Sequence, residues 1–215
     1  MQFALDPEIV DFVASIDSLL AKSDMPSVIR AWADGDTAPG TAVWGRVAET
    51  GAAGLLVPEE SGGAGATAVE AVAALEVLGR HAVPGPVVES VMVAPRIAAA
   101  VGGDTEDGDL AGEIAGGAFA SVVVPGVSPY LPDAHVAAHL WVADDDEVST
   151  ATAGAARRSV DRARTVSAPT VGPRVAAVST TDLVNHGALG TAAKLLGLGT
   201  AMLDMSVDYA KQRKQ

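Results

Sequence analysis

One stretch of the sequence constrains the fold more than any other. Residues 44–65 read WGRVAETGAAGLLVPEESGGAG. A helical pattern ends there at small residues, a short apolar step follows, and the stretch closes with Pro58-Glu59-Glu60 and a glycine-rich turn. We therefore predict a helix, a strand-like step and a tight turn in direct succession.

The composition indicates a folded chain with a finely packed core. Hydrophobic residues make up 49% of the 215 residues, whereas aromatic residues make up only 4%. A chain of this length can bury a substantial core in one large domain or two modest ones. Because so much of the apolar content is alanine and valine, we expect small side chains to fill that core.

Charge and cysteine content exclude several classes of function. The net charge is −13, from 27 acidic and 14 basic residues, which argues against nucleic acid and against anionic membrane surfaces. No cysteine is present, so the chain has neither disulfides nor thiolate ligands. No apolar run approaches a membrane span, and the acidic start Met1–Asp6 is unlike a secretory signal. We therefore expect a cytoplasmic location.

Helix signals dominate the first half of the chain. We predict helices that begin at Asp6-Pro7, cover Pro26–Ala33, begin at Thr41, begin at Thr67 and cover Val87–Val101. Thr67 and Glu70 form a capping box, in which each side chain satisfies a backbone N–H of the first turn. Residues 34–40 are predicted to form a polar loop.

The pattern then changes to short strands and returns to one long helix. Strands are predicted at 119–124, 139–142, 147–152 and 174–178, and this spacing favours a small antiparallel β unit. Residues 182–214 are predicted to form a helix with two apolar stripes. The first comprises Leu189, Ala193, Leu196, Leu203, Val207 and Ala210, and the second Leu195, Leu198, Met202, Met205 and Tyr209. A helix that is apolar on two sides must be buried between neighbours, so we expect this chain to cover one side and further chain or a partner to cover the other.

Both ends of this pattern resemble the acyl-CoA dehydrogenase family. The stretch from Trp44 to Gly65 is similar to the family pattern W-x-x-L-A-E-x-G-x-x-G-L-x-x-P-E-E-x-G-G-x-G, with matches at Trp44, Ala48, Glu49, Gly51, Gly54, Leu55, Pro58, Glu59, Glu60, Gly62, Gly63 and Gly65. Leu196 to Gln215 resembles the helix that ends R-x-Q-F-G, and the sequence stops where Phe-Gly would follow.

The resemblance implies an α+β architecture in three parts. These are an N-terminal helical bundle at residues 1–115, a small antiparallel β middle domain at 116–179, and the first long helix of a C-terminal helical bundle at 180–215. It also implies that the chain represents the N-terminal and middle regions of a longer protein.

The implied activity is FAD-dependent α,β-dehydrogenation of an acyl-CoA thioester in lipid or steroid catabolism. By the same resemblance, Arg213 reaches the flavin pyrophosphate of a neighbouring subunit, with Gln215 beside it. Ser128 falls on the flavin-binding loop T-E-P-x-x-G-S, to which residues 123–130 are only faintly similar, at Pro125, Gly126 and Ser128. We therefore expect weak FAD binding by this chain alone.

No residue matches the family's catalytic glutamate, so we also expect no dehydrogenase activity from this chain alone. The divergent flavin loop suggests a subunit of a homo- or heterotetramer that acts on acyl-CoA with a flavin-competent partner. The alternative is a non-catalytic structural subunit or fragment that stabilises such a partner.

Other candidate sites are weaker. The four histidines lack metal-ligand spacing, and Asp144–Glu147 is predicted to be a solvated turn rather than a calcium loop. Glu59 and Glu60 belong to the predicted turn. Five arginines follow a region from Ile97 to Ala156 without basic residues, namely Arg157, Arg158, Arg162, Arg164 and Arg174. They form a charged surface, a subunit contact or a site for CoA phosphates.

Overall fold

The computed structural model describes residues 4–102 and 109–213. Six α-helices precede the first strand: α1 Pro7–Ala21, α2 Met25–Ala33, α3 Ala38–Ala48, α4 Ala68–Arg80, α5 Ala94–Val101 and α6 Leu110–Ala115. A short 3-10 helix at Glu59–Ser61 and a π-helix at Glu89–Val93 lie among them. One helix, α7 at Thr180–Gln212, follows the last strand.

Seven strands form two small sheets between α6 and α7. They are β1 Ala120–Val123, β2 Leu131–Pro132, β3 His139–Asp144, β4 Glu147–Ala153, β5 Arg157–Arg158, β6 Thr165–Ser167 and β7 Pro169–Ala177. The four-stranded sheet has the order β1-β3-β4-β7 and the three-stranded sheet the order β2-β6-β5. The predicted α+β order of helices, strands and a long final helix is confirmed.

The sheets differ from the predicted antiparallel unit in one pairing. Strands β1 and β3 run parallel, with Ala120 opposite His139, whereas the other pairings are antiparallel. The chain can make this parallel pair because residues between β1 and β3 cross over and supply β2 to the second sheet. Asp145 and Asp146 join β3 to β4 in left-handed conformations, so the acidic run is a tight hairpin turn, as predicted.

Two local predictions were wrong. Helix α3 begins at Ala38 rather than Thr41, because Pro39 fits the first helical turn and Asp36 accepts a hydrogen bond from the Ala38 N–H. The apolar step after Gly51 forms successive turns instead of a strand. Two long-range backbone bonds, from Ala66 N to Leu55 O and from Gly65 N to Val57 O, close this segment into a compact loop.

The core joins the helices to the larger sheet. Trp44 is almost fully buried, its indole N–H donates to the Gly117 carbonyl at 2.7 Å, and its ring stacks on Phe119 at 5.0 Å. Trp141 is buried in β3. The capping box at the start of α4 is present, with Glu70 accepting from the Thr67 N–H at 2.9 Å.

Helix α7 packs on α4 through small residues rather than through its large apolar stripes. Its buried positions are Leu183, Gly190, Ala193 and Gly197. A Cβ atom at Gly197 would collide with the Glu76 carbonyl oxygen and lie 2.7 Å from the Arg80 nitrogen, so the two backbones nearly touch. The prediction that this chain covers one of the two stripes was wrong. Side chains of both stripes are largely exposed, including Leu195, Leu196, Met202, Leu203 and Met205.

No helix in residues 4–102 and 109–213 is long and apolar enough to cross a lipid bilayer.

Candidate functional site

A groove of about 640 Å³ lies where the sheets, the π-helix and the first half of α7 meet. Its walls are mostly apolar and include Val88, Val93, Val122, Val124, Val127, Pro132, Val166 and Leu195. Concave, largely apolar pockets with a few polar groups are the usual sites for small molecules. We take this groove as the candidate functional site.

Four of the seven residues that α7 contributes to the groove are small, and the other three are Leu183, Val184 and Leu195. The small residues are Gly187, Ala188, Thr191 and Ala192. They lie next to the residues of α7 that pack on α4. The close approach of the two helices therefore determines the position of these side chains in the groove. Because none of these four side chains is larger than threonine, the groove is wide where they line it.

Two ionisable side chains, Glu89 and Arg164, also line the groove. Burial raises the pKa of Glu89, although the charge of Arg164 opposes that shift. Behind them, Asp133 is fully buried, and its Oδ2 atom lies 3.8 Å from the Arg164 guanidinium. Burial raises the pKa of Asp133 as well, again against the charge of Arg164.

Lys194 completes this group of charges from α7. Its Nζ atom donates to the Val83 carbonyl at 3.0 Å. Burial, reinforced by the positive charge of Arg164, lowers the pKa of Lys194 to about 8, while Glu89 and Asp133 act in the opposite direction. Two acidic and two basic side chains therefore lie close enough to influence one another, and two of them, Glu89 and Arg164, line the groove.

The π-helix places Glu89 in this group. Pro84, Gly85 and Pro86 break the chain before it, and the Ser90 hydroxyl then donates to the Pro86 carbonyl at 2.8 Å. The same hydroxyl accepts from the Ala120 N–H at 3.0 Å, which ties the helix to β1. Single π-turns inside helices are frequent at functional sites, because the extra residue changes where side chains point.

The loop after β1 does not fit a flavin well. The Val127 and Ser128 N–H groups both donate to the Val124 carbonyl, at 2.8 and 2.9 Å. The Tyr130 N–H donates to the Ser128 hydroxyl at 3.3 Å. The Ser128 hydroxyl in turn donates to the Tyr130 carbonyl at 3.4 Å, so these three N–H groups and this hydroxyl are all engaged within the loop.

The structure does not bring the predicted cofactor residues together. Ser128 lines the groove. Arg213 is exposed at the C-terminal end of α7, eighteen residues beyond Leu195, which corresponds to about 27 Å along a helix axis. Gln215 lies outside the described residues. Arg213 is thus placed to contact something other than this chain's own groove, and the flavin roles of all three residues stay predictions.

Sequence analysis missed Glu89, Lys194 and the special position of Arg164. The sequence does contain a signal for the first two. Glu89 is the only carboxylate in the mainly apolar stretch 87–95, and Lys194 is the only lysine or arginine in the mainly apolar stretch 183–203. The sequence gives no reason to single out Arg164 from the other arginines between 157 and 174. In the fold, Arg162 pairs with Asp34 at 3.6 Å and Arg174 with Glu147 at 3.0 Å, whereas Arg164 turns to the groove.

The histidines contact other side chains or the backbone and do not form a cluster with one another. His81 contacts Asp17 at 2.8 Å, His139 contacts Glu113 at 2.9 Å, and His186 contacts Asp182 on its own helix. Within the described ranges no three histidine or carboxylate side chains lie close enough together to hold a metal ion.

The N-terminal helices match a known family. Residues 6–104 match the family described as acyl-CoA dehydrogenase, N-terminal domain. This part of the chain therefore carries the N-terminal domain of the acyl-CoA dehydrogenase family. It is 29% identical over 205 residues to the acyl-CoA dehydrogenase IpdE2 of Mycolicibacterium smegmatis, and the match covers 94% of this chain. The chain spans 64% of the length of that relative.

Solved structures of family members share the fold. The ChsE4–ChsE5 complex of Mycobacterium tuberculosis superposes with a TM-score of 0.73 at 19% identity, over 100% of this chain and 70% of that one. A variant of the Tcur3481–Tcur3483 steroid ACAD superposes with a TM-score of 0.72 at 20% identity, over 97% of this chain and 68% of that one. At these identities the likeness establishes the common architecture.

Proposed function

We propose that this chain contributes the acyl-binding groove of an acyl-CoA dehydrogenase whose flavin is held mainly by a partner chain. The observation that carries the proposal is the wide apolar groove between the sheets, the π-helix and α7. An acyl group is the part of an acyl-CoA that gains most from leaving water, and apolar walls provide that gain at about 25 cal/mol per Å² buried.

The partner follows from the loop after β1. The N–H groups of Val127, Ser128 and Tyr130 are engaged in internal hydrogen bonds, so this loop offers few donors for a flavin. When bound, FAD would accept the hydride that leaves the acyl group. This chain's residues would bind and orient the acyl group and exclude water from it.

The substrate class follows from the shape of the groove. The small residues of α7 that line the groove leave room, beside Leu183, Val184 and Leu195, for an acyl group broader than a straight chain. One of the structural neighbours is a steroid ACAD. We therefore propose a ring-bearing acyl-CoA as substrate, within lipid or steroid catabolism.

A pair of tryptophan variants tests the groove. Ala188 lines it, whereas Asn185 is exposed on the same helix outside it. Ala188→Trp should abolish the binding of 3-cyclohexylpropanoyl-CoA, measured by isothermal titration calorimetry, because the indole would fill the groove. Asn185→Trp should leave binding as in the wild-type chain. Equal binding by both variants would show that the acyl group binds elsewhere.

One rival function remains, that of a non-catalytic subunit that only stabilises a partner. The engaged amides of the loop after β1 favour this function as much as they favour a flavin-bearing partner. The two functions differ in acyl binding, so the same calorimetric measurement separates them.

A further inference from the structure

One wall of the groove is built on the pairing of β2 with β6. Pro132 and Val166 stand opposite each other in that pairing, and both line the groove, as does Arg164. Asp133 does not line the groove. Its side chain is fully buried behind the wall, next to Pro132 in the chain and beside the Arg164 guanidinium in space.

Asp133 joins the end of β2 to the start of β6. Its N–H donates to the Thr165 carbonyl at 2.9 Å, and its Oδ1 atom accepts from the Thr165 N–H at 2.8 Å. Asp133 has a left-handed backbone conformation with a φ of 45°, which aspartate and asparagine adopt more readily than most residues. These reciprocal bonds fix the position of the carboxylate behind the groove wall.

The second carboxylate oxygen faces Arg164. Asp133 Oδ2 accepts no hydrogen bond from the described residues and lies 3.8 Å from the guanidinium. Asp133 is also the only carboxylate in the described ranges that forms an ion pair with Arg164. The Arg164 side chain is still 31% exposed, so a molecule that fills the groove would remove water from a charged group.

Resting on the proposed function, we propose that Asp133 is a positioning residue for acyl binding, which holds Arg164 from behind the wall and balances its charge while an acyl group covers it. Asp133 itself touches no ligand. A buried ion that loses its partner is strongly unfavourable. Without Asp133, a bound acyl group would therefore cover an arginine that has no ion-pair partner, and binding would weaken.

The protonation of Asp133 argues against a role in folding alone. Burial raises its pKa, although the charges of Arg164 and His135 oppose this shift. Glu89 and Lys194 are also close enough for the charge of Asp133 to affect the pKa of each. Because its pKa is higher in the native chain than in the unfolded chain, the contribution of Asp133 to stability falls as pH rises through the native pKa. Above that pKa, a neutral side chain of the same shape would serve folding better.

Asparagine at position 133 separates positioning from folding, because it keeps an oxygen for the Thr165 N–H and tolerates the left-handed conformation but carries no charge. At about pH 8, Asp133→Asn should be at least as stable as the wild-type 215-residue chain in urea unfolding. In calorimetry it should bind 3-cyclohexylpropanoyl-CoA about fivefold more weakly, which is about 1 kcal/mol. The matched control is Asp145→Asn, at an exposed residue that is also left-handed, and it should bind as the wild-type chain does.

Removing Arg164 shows whether Asp133 acts through it. In the Arg164→Met chain there is no charge to balance, so adding Asp133→Asn should change the affinity by no more than about twofold. A purely structural role for Asp133 would weaken binding by the same factor whether or not Arg164 is present.

The outcomes separate this inference from the proposed function. If Asp133→Asn binds as tightly as the wild-type chain, or weakens binding equally in both Arg164 backgrounds, the inference is overturned and the acyl groove stands. If the wild-type chain does not bind the probe, the proposed function is overturned and the inference with it.

Discussion

Two glycines on α7, only two residues apart, have opposite surroundings. A Cβ at Gly197 would collide with the backbone of α4 at Glu76 and Arg80, whereas a Cβ at Gly199 would meet no atom within 4 Å. Helix propensity is the same at both positions. A difference between the effects of the same substitution at the two glycines therefore reports how closely α4 and α7 approach each other.

Alanine at each glycine should therefore change stability in opposite directions. Gly197→Ala should destabilise the chain by about 2 kcal/mol or more, because overpacking forces the helices apart. Gly199→Ala should stabilise it by about 0.5–1 kcal/mol through helix propensity alone. Urea unfolding followed by circular dichroism measures both changes, and a stabilising Gly197→Ala would contradict the tight helix contact.

Lys194 should give the stability of the chain a distinct pH dependence. Burial lowers its pKa from 10.5 to about 8, so between these two pH values the unfolded chain binds more protons than the native chain. The contribution of Lys194 to the free energy of unfolding therefore rises with pH across that window. Relative to Lys194→Met, which lacks the amine, the wild-type chain should gain up to about 3 kcal/mol between pH 8 and pH 10.5.

Urea unfolding at pH 8, 9 and 10 checks this expectation. Lys22 is exposed at the end of α1, so the difference between wild type and Lys22→Met should stay constant over the same range. A constant difference for Lys194→Met as well would show that its amine is well solvated in the native chain.

Helix α7 consists of two halves with different surroundings. Its first half, up to Gly197, packs on α4 and lines the groove. Its second half extends from the rest of the molecule with large apolar side chains exposed, among them Met202, Leu203 and Met205, at 62%, 64% and 64% exposure. Apolar patches of this kind mark interaction surfaces.

The second half of α7 should drive association. Met202→Glu combined with Met205→Glu should shift the chain toward monomer in sedimentation velocity, because charged side chains oppose burial of this face. The control is Ser206→Glu with Gln212→Glu, which adds the same charge at polar, exposed positions of the same helix. A wild-type chain that stays monomeric at high concentration would contradict this expectation.

At the scale of the whole molecule, Ser128 lines the groove, whereas Arg213 lies far from it. The groove ends at Leu195, and Arg213 lies at the far end of α7. The ChsE4–ChsE5 neighbour is a complex of two different chains.

The isolated chain should purify colourless and should not reduce an electron acceptor when FAD and ring-bearing acyl-CoAs are added. The reason is the engaged flavin loop, together with the lack of a residue matching the family's catalytic base. Absorbance near the flavin bands and a dye-reduction assay measure the two properties. Stoichiometric flavin, or turnover by the pure chain, would contradict the need for a partner.

Features with short-range signals are the ones that sequence predicts correctly. The capping box at Thr67 and the acidic hairpin turn after Asp144 are examples, because their signals lie within a few residues of the chain. The Thr41 helix start is wrong because Pro39, a better signal, lies in the segment predicted as a loop. Ser128 enters the candidate site by resemblance, and the structure puts it in the groove.

Local patterns and the motifs at both ends were enough to predict the family, the order of helices and strands, and the apolar character of α7. Which face of α7 is buried depended on the tertiary structure, since small residues allow an approach to α4 that no periodicity reveals. The tertiary structure also brought together Glu89, Asp133, Arg164 and Lys194, which come from four separate parts of the chain. Contacts across such distances in sequence arise from packing, and the packing places two of these charges, Glu89 and Arg164, on the lining of the groove.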